Sequence, residues 1–197
     1  MTRRIFGPKP KLLALATAIL AIGGLACGTF TGVPASLPTI ADSGAVYAIN
    51  GAPPGAPTSL HLFSGSLLAA DATFTFDVAF DIDSAGAVTV LPQRAVASGL
   101  APTHTVGLQT TTGTYDAVLS APKNGYRADT AMVLNVNQVL LIQSSDANAC
   151  GVSLTGSTIY GKVVVLMVDK VTRRLQIQFT SDPNCGFTSF ASGLPKD

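Results

Sequence analysis

The clearest pattern in the chain runs from Thr73 to Asp83, where Phe74, Phe76, Val78, Phe80 and Ile82 alternate with Thr73, Thr75, Asp77, Ala79, Asp81 and Asp83. A period of two sets successive side chains on opposite faces of a strand, so this segment is predicted to turn its apolar residues inward and its aspartates, Asp77 included, to solvent. Ser84-Ala85-Gly86 follows as a three-residue turn with glycine where a left-handed backbone is wanted. Pairing Asp83 with Ala87 sets Ile82 opposite Val88 and Phe80 opposite Val90, which keeps both apolar sets on one face, and Pro92 ends the ladder.

Shorter patterned segments predict the rest. Val46 to Ile49 and Leu60 to Phe63 flank the loop Gly51-Ala52-Pro53-Pro54-Gly55-Ala56-Pro57. Further strands are expected at Val106 to Thr111, Tyr115 to Leu119, Met132 to Val136 and Val139 to Ser144, divided by turn residues such as Lys123-Asn124-Gly125. Ile159 to Val168 is apolar on both faces, as a central strand would be. Asp169 to Arg173 returns it to Leu175, Ile177 and Phe179, which alternate with Arg174, Gln176 and Gln178. A closing strand is expected at Phe187 to Phe190. About nine short strands imply an all-β fold, an antiparallel two-sheet sandwich, with a closed β-barrel as the alternative.

Composition agrees. All eleven acidic residues are Asp and none is Glu, while Val, Thr, Phe and Ile fill the patterned segments. The first 26 residues stand apart: Arg3, Arg4, Lys9 and Lys11 precede an uncharged run from Leu12 to Ala26. That order of basic, apolar and small residues is that of an export signal, and the run is shorter than the roughly 20 residues a spanning helix needs. With those four bases removed, eight remain against eleven aspartates. The mature chain is therefore mildly acidic, which gives no support to nucleic-acid binding.

Gly24-Leu25-Ala26-Cys27 resembles the lipobox of bacterial lipoproteins, Leu-Ala-Gly-Cys. The resemblance implies cleavage before Cys27, a thioether-linked diacylglycerol on its sulfur and an N-acyl chain, and more than one chain gives stable anchoring. Gly28 rather than Asp after the cysteine points to the outer membrane. Ordinary signal peptidase accepts the same bond and would release a soluble chain. The opening Thr2-Arg3-Arg4-Ile5-Phe6 also resembles a twin-arginine signal, although the general secretory route is the expectation. Residues 27–43, rich in Gly, Pro, Ser and Thr, are read as the lipidated cysteine and a flexible tether, and residues 44–197 as a single domain.

Lipidation also resolves the cysteine count. Three cysteines in an exported protein leave one unexplained. With Cys27 acylated, Cys150 and Cys185 are expected to form a disulfide in an oxidising envelope, the alternative being two buried thiols.

Few residues carry catalytic or metal-binding chemistry. His61 and His104 are the only histidines, neither stands in a metal-ligand spacing, and both are expected at the surface or in loops. No serine sits in a GxSxG elbow. Asp81-Ile82-Asp83-Ser84-Ala85-Gly86 loosely matches the opening of a calcium loop, which makes Asp81 and Asp83 weak metal candidates. Ala85 and Pro92 stand where that motif needs ligands, and a solvated hairpin explains the spacing better. Tyr115 and Tyr126 flank turns where a ligand could be met, while aromatics at strand ends are more often core plugs. No cofactor is implied.

Charged residues are 12% of the chain against about 25% for typical soluble domains. A surface so poor in charge suits coverage by a protein partner, to be captured through Lys123 or Lys162. The expected function is therefore a lipid-anchored envelope protein with a non-catalytic, accessory or protein-interaction domain. A carrier of a hydrophobic ligand is the alternative, and a hydrolase built from His61 or His104 with an aspartate comes last.

Overall fold

The computed structural model describes residues 34–71, 76–96, 104–150 and 156–195. The residues read as an export signal, Cys27 and the start of the Phe74 segment lie outside the described residues. The described residues contain eleven strands: β1 Ile40–Tyr47, β2 Ser59–His61, β3 Ser66–Leu68, β4 Val78–Ile82, β5 Val88–Pro92, β6 His104–Thr111, β7 Arg127–Ala128, β8 Met132–Leu134, β9 Val139–Asp146, β10 Ile159–Asp169 and β11 Arg174–Asp182. They form a six-stranded sheet in the order β1-β11-β10-β9-β6-β7 and a five-stranded sheet in the order β3-β2-β4-β5-β8. Every pairing is antiparallel. Neither sheet closes on itself, so the fold is the two-sheet sandwich and not the barrel.

The β4–β5 hairpin has the expected register, Phe80 opposite Val90 and Ile82 opposite Val88. Asp83 N donates to Ala87 O at 2.9 Å, and Gly86 takes φ +83°. β10 runs through the middle of the larger sheet, buried along most of its length. Leu60, Leu62, Phe80, Leu108, Ile142, Leu175, Ile177 and Phe179, all fully buried, fill the layer between the sheets. Gly161 leaves the space that Leu62 occupies, since a Cβ there would lie 2.5 Å from Leu62 Cδ2.

Several expectations are corrected. Residues 40–43, read as tether, belong to β1, because Ile40 to Ser43 pair with Ser181 to Gln178. Residues 115–119 form a turn rather than a strand, and residues 187–190 contribute only the bridge between Ser189 and Ser120. Most telling is Asp77, expected in solvent but only 2% exposed. Its carboxyl group accepts from Leu62 N at 2.6 Å and from Ser144 Oγ of β9 at 2.5 Å, so a buried acidic side chain joins the two sheets.

Cys150 and Cys185 form the expected disulfide, with Cα atoms 5.7 Å apart. It ties the helical turn Ala147–Cys150 after β9 to the chain leaving β11. The β1 edge is guarded at both ends: Thr39 N donates to Gly193 O at 2.9 Å and Tyr47 N to Pro57 O at 2.8 Å. Between them Ser43 N is capped by Asp42 Oδ1 at 2.7 Å.

Candidate functional site

The outer face of the larger sheet collects the chemistry-bearing side chains. Strand alternation puts Ile159, Val163 and Val165 of β10 into the inter-sheet core and Tyr160 and Lys162 on the opposite face. Register then builds two rows across the sheet, Gly107-Gln143-Tyr160-Asp182 and Gln109-Leu141-Lys162-Thr180. Residues 115–121 and 187–190 cover part of this face and are joined by Ala121 N to Thr188 O and Phe190 N to Leu119 O, both at 2.8 Å.

Lys162 is the centre of this cover and is only 4% exposed. Its Nζ donates to Tyr115 O at 2.6 Å and Val118 O at 2.9 Å. It also lies 4.1 Å from the centroid of the Tyr115 ring and 5.5 Å from that of Phe190. Burial lowers its pKa, opposed by the nearby Asp116 charge. Tyr115 OH shares a hydrogen bond with Thr180 Oγ1 at 2.7 Å, and burial pushes its pKa up to about 12, the Thr180 bond acting the other way. With its amine turned to carbonyls and rings, Lys162 acts as a clamp on the covering turn and is a poor handle for amine crosslinking. Exposed Lys123 is the usable one. A cation interrupting the apolar run Ile159 to Val168 is the sequence signal for such a buried, solvated-by-protein lysine.

Tyr126 settles on the sheet where Gly107 lacks a side chain, for a Cβ at Gly107 would be 2.7 Å from Tyr126 Cβ. Its ring centroid is 6.2 Å from that of Tyr160, whose hydroxyl accepts from Gln143 Nε2 at 3.3 Å. Burial, then the neighbouring Tyr160, raises the Tyr126 pKa. At the far end of the row, Asp182 Oδ1 accepts from Asn184 N at 2.9 Å and Asn184 Nδ2 at 2.7 Å. Asn184 Oδ1 in turn accepts from Ser36 N and Leu37 N at 2.9 and 3.0 Å, which pins the arriving chain.

The residues singled out from sequence are dispersed and engaged locally. Asp81 accepts from Arg173 Nη2 at 2.9 Å and Asn50 Nδ2 at 2.5 Å, while Asp83 Oδ1 accepts from Ala87 N at 2.8 Å within the hairpin turn. Among the described residues no group of three or more His, Cys, Asp or Glu converges. His61 Nδ1 meets Ser64 Oγ at 2.9 Å across the β2–β3 turn, a contact three residues apart. Leu60 and Leu62 on either side of it are buried, as the alternation requires. His104 opens β6 opposite Asp146, and its side chain lies outside the described residues. The arrangement on the outer face orders and covers a sheet. No protein-family model, curated protein or solved structure matches the chain.

Proposed function

We propose that this chain is a lipid-anchored bacterial envelope protein whose non-catalytic β domain serves as an accessory or protein-interaction subunit at a membrane. The anchor rests on the leader and Cys27, and Gly28 favours the outer membrane. The observation that carries the interaction half is the group of exposed apolar residues Leu166, Met167 and Val171 on the β10–β11 hairpin. The chain arrives beside Asn184, at the start of β1, whereas the β10–β11 hairpin lies past the other end of that strand, where Tyr47 pairs with Arg174. Eight residues of strand separate those ends by roughly 26 Å.

At the hairpin end Val171 is 94% exposed and Met167 60%. A bulge between Val165 and Met167 breaks the pairing there and leaves Leu166 exposed. Asn137 N donates to Val165 O at 2.8 Å, which brings exposed Val136 into the same neighbourhood. A cluster of exposed apolar side chains on one hairpin is suited to meet a protein.

Intact mass of the membrane-extracted protein tests the anchor: loss of residues 1–26 with added acyl chains is expected, and a water-soluble chain with an unmodified amino terminus would refute it. For the interaction half, Met167→Asp with Val171→Asp should lower the native mass of the detergent-extracted assembly while acylation is unchanged. An unaltered native mass would count against that half alone.

A further inference from the structure

Asn–Gly occurs twice in the chain, at Asn50-Gly51 and at Asn124-Gly125, and the fold treats the two differently. We propose that Asn124 is a site of spontaneous covalent modification, converted by water to aspartate and isoaspartate, while the same chemistry at Asn50 is held back by the side chains around it. The inference is independent of the anchor and of the hairpin surface.

The reaction needs only the chain and water. The Gly125 nitrogen attacks Asn124 Cγ, and its proton passes through solvent to the departing amide nitrogen. A C–N bond forms, the Cγ–Nδ2 bond breaks, and ammonia leaves a cyclic succinimide. Water then adds to either imide carbonyl and breaks one C–N bond, which restores the N–H and yields aspartate or, with the main chain rerouted through the side chain, isoaspartate. Glycine in second place favours ring closure because no Cβ obstructs its nitrogen. The Asn side chain and the peptide that follows it must turn toward each other, so a hydrogen bond on either part has to break first.

At Asn50 both parts are held. Its Nδ2 donates to Asp81 Oδ2 at 2.5 Å, and its carbonyl, which belongs to the peptide joining it to Gly51, accepts from Arg173 Nε at 2.6 Å. Arg173 is itself fixed by Asp81 Oδ1 at 2.9 Å and Ile82 O at 2.7 Å. At Asn124 neither part is held. Asn124 and Gly125 are exposed in a bend ahead of β7, and among the described residues no hydrogen bond reaches the Asn124 amide or the Gly125 N–H. Each conversion adds a negative charge beside Lys123. Isoaspartate also lengthens the main chain between Ala121, bonded to Thr188 O, and the Tyr126 ring packed on Gly107.

Peptide mapping of the full chain after incubation at mildly alkaline pH, with electron-transfer fragmentation to separate aspartate from isoaspartate, tests the proposal. In the folded protein Asn124 should convert at least about tenfold faster than Asn50, the factor that one charge-assisted hydrogen bond supplies. In guanidinium chloride the two sites should convert at comparable rates, because the contacts at Asn50 are gone. Asp81→Ala should speed conversion at Asn50 and leave Asn124 unchanged. Equal rates at the two sites in the folded chain, faster conversion at Asn50 than at Asn124, or an Asn50 rate unmoved by both guanidinium and Asp81→Ala would each overturn the proposal.

Discussion

Lys162 Nζ lies 4.1 Å from the centroid of the Tyr115 ring and donates to the carbonyl of that same residue at 2.6 Å. One side chain of β10 thus holds both the backbone and the ring of a turn with no ladder of its own beyond the Ser120 bridge. The turn stays on the sheet because a buried cation needs those carbonyls as much as they need a donor.

Lys162→Ala should therefore lower stability by about 2–4 kcal/mol, through lost packing and two carbonyls left without their donor. The urea midpoint measures the loss. Hydrogen exchange at residues 115–121 should rise well beyond the change at β9, because the cover is released before the sandwich opens.

Alkaline pH acts on the same cluster with opposing signs. Lys162 has a folded pKa below its ordinary 10.5, so the folded state releases its proton first and this group adds stability as pH rises toward 10.5. Tyr115, raised from 10.0 to about 12, and Tyr126, raised further, ionise first in the unfolded chain, so their contribution is complete below pH 10 and is lost as pH climbs through 12. Two tyrosines outweigh one lysine, and stability should fall between pH 10 and 12. The Tyr115→Phe, Tyr126→Phe double variant should show a shallower fall in urea midpoints across that range.

The buried Asp77 carboxyl group bridges Leu62 N and Ser144 Oγ between the two sheets. Asp77→Ala strands both donors in the interior and should cost about 2–4 kcal/mol. Ser144→Ala removes only one partner and should cost less, about 1–2 kcal/mol. Thermal unfolding of the two variants gives the ordering.

The disulfide separates Cys150 and Cys185 by 35 residues. Loop-closure entropy for that length is worth roughly 3–4 kcal/mol, so the Cys150→Ser, Cys185→Ser double variant should unfold at a correspondingly lower denaturant concentration. Equal midpoints for parent and variant would contradict this.

Strand alternation and turn chemistry are written locally, which is why the register of β4 with β5, the central place of β10 and the return through Leu175 to Phe179 could be read directly from residue order. Cysteine parity likewise led to the Cys150–Cys185 pair. Other features depend on partners distant in sequence. Asp77 obeys the same period-two pattern as Asp81, yet one carboxyl group is buried against Ser144 and the other faces Arg173, and nothing within the strand distinguishes them. Residues 115–119 have a strand's composition but no neighbour to pair with, since Lys162 and Phe190 hold them as a turn over an already complete sheet. The sequence by itself determined the element types, the hairpin and the covalent tie, because each follows from spacing along the chain. Only the tertiary structure decided which polar groups are buried and which of two Asn–Gly pairs is held, because burial and convergence arise when strands far apart in sequence become neighbours.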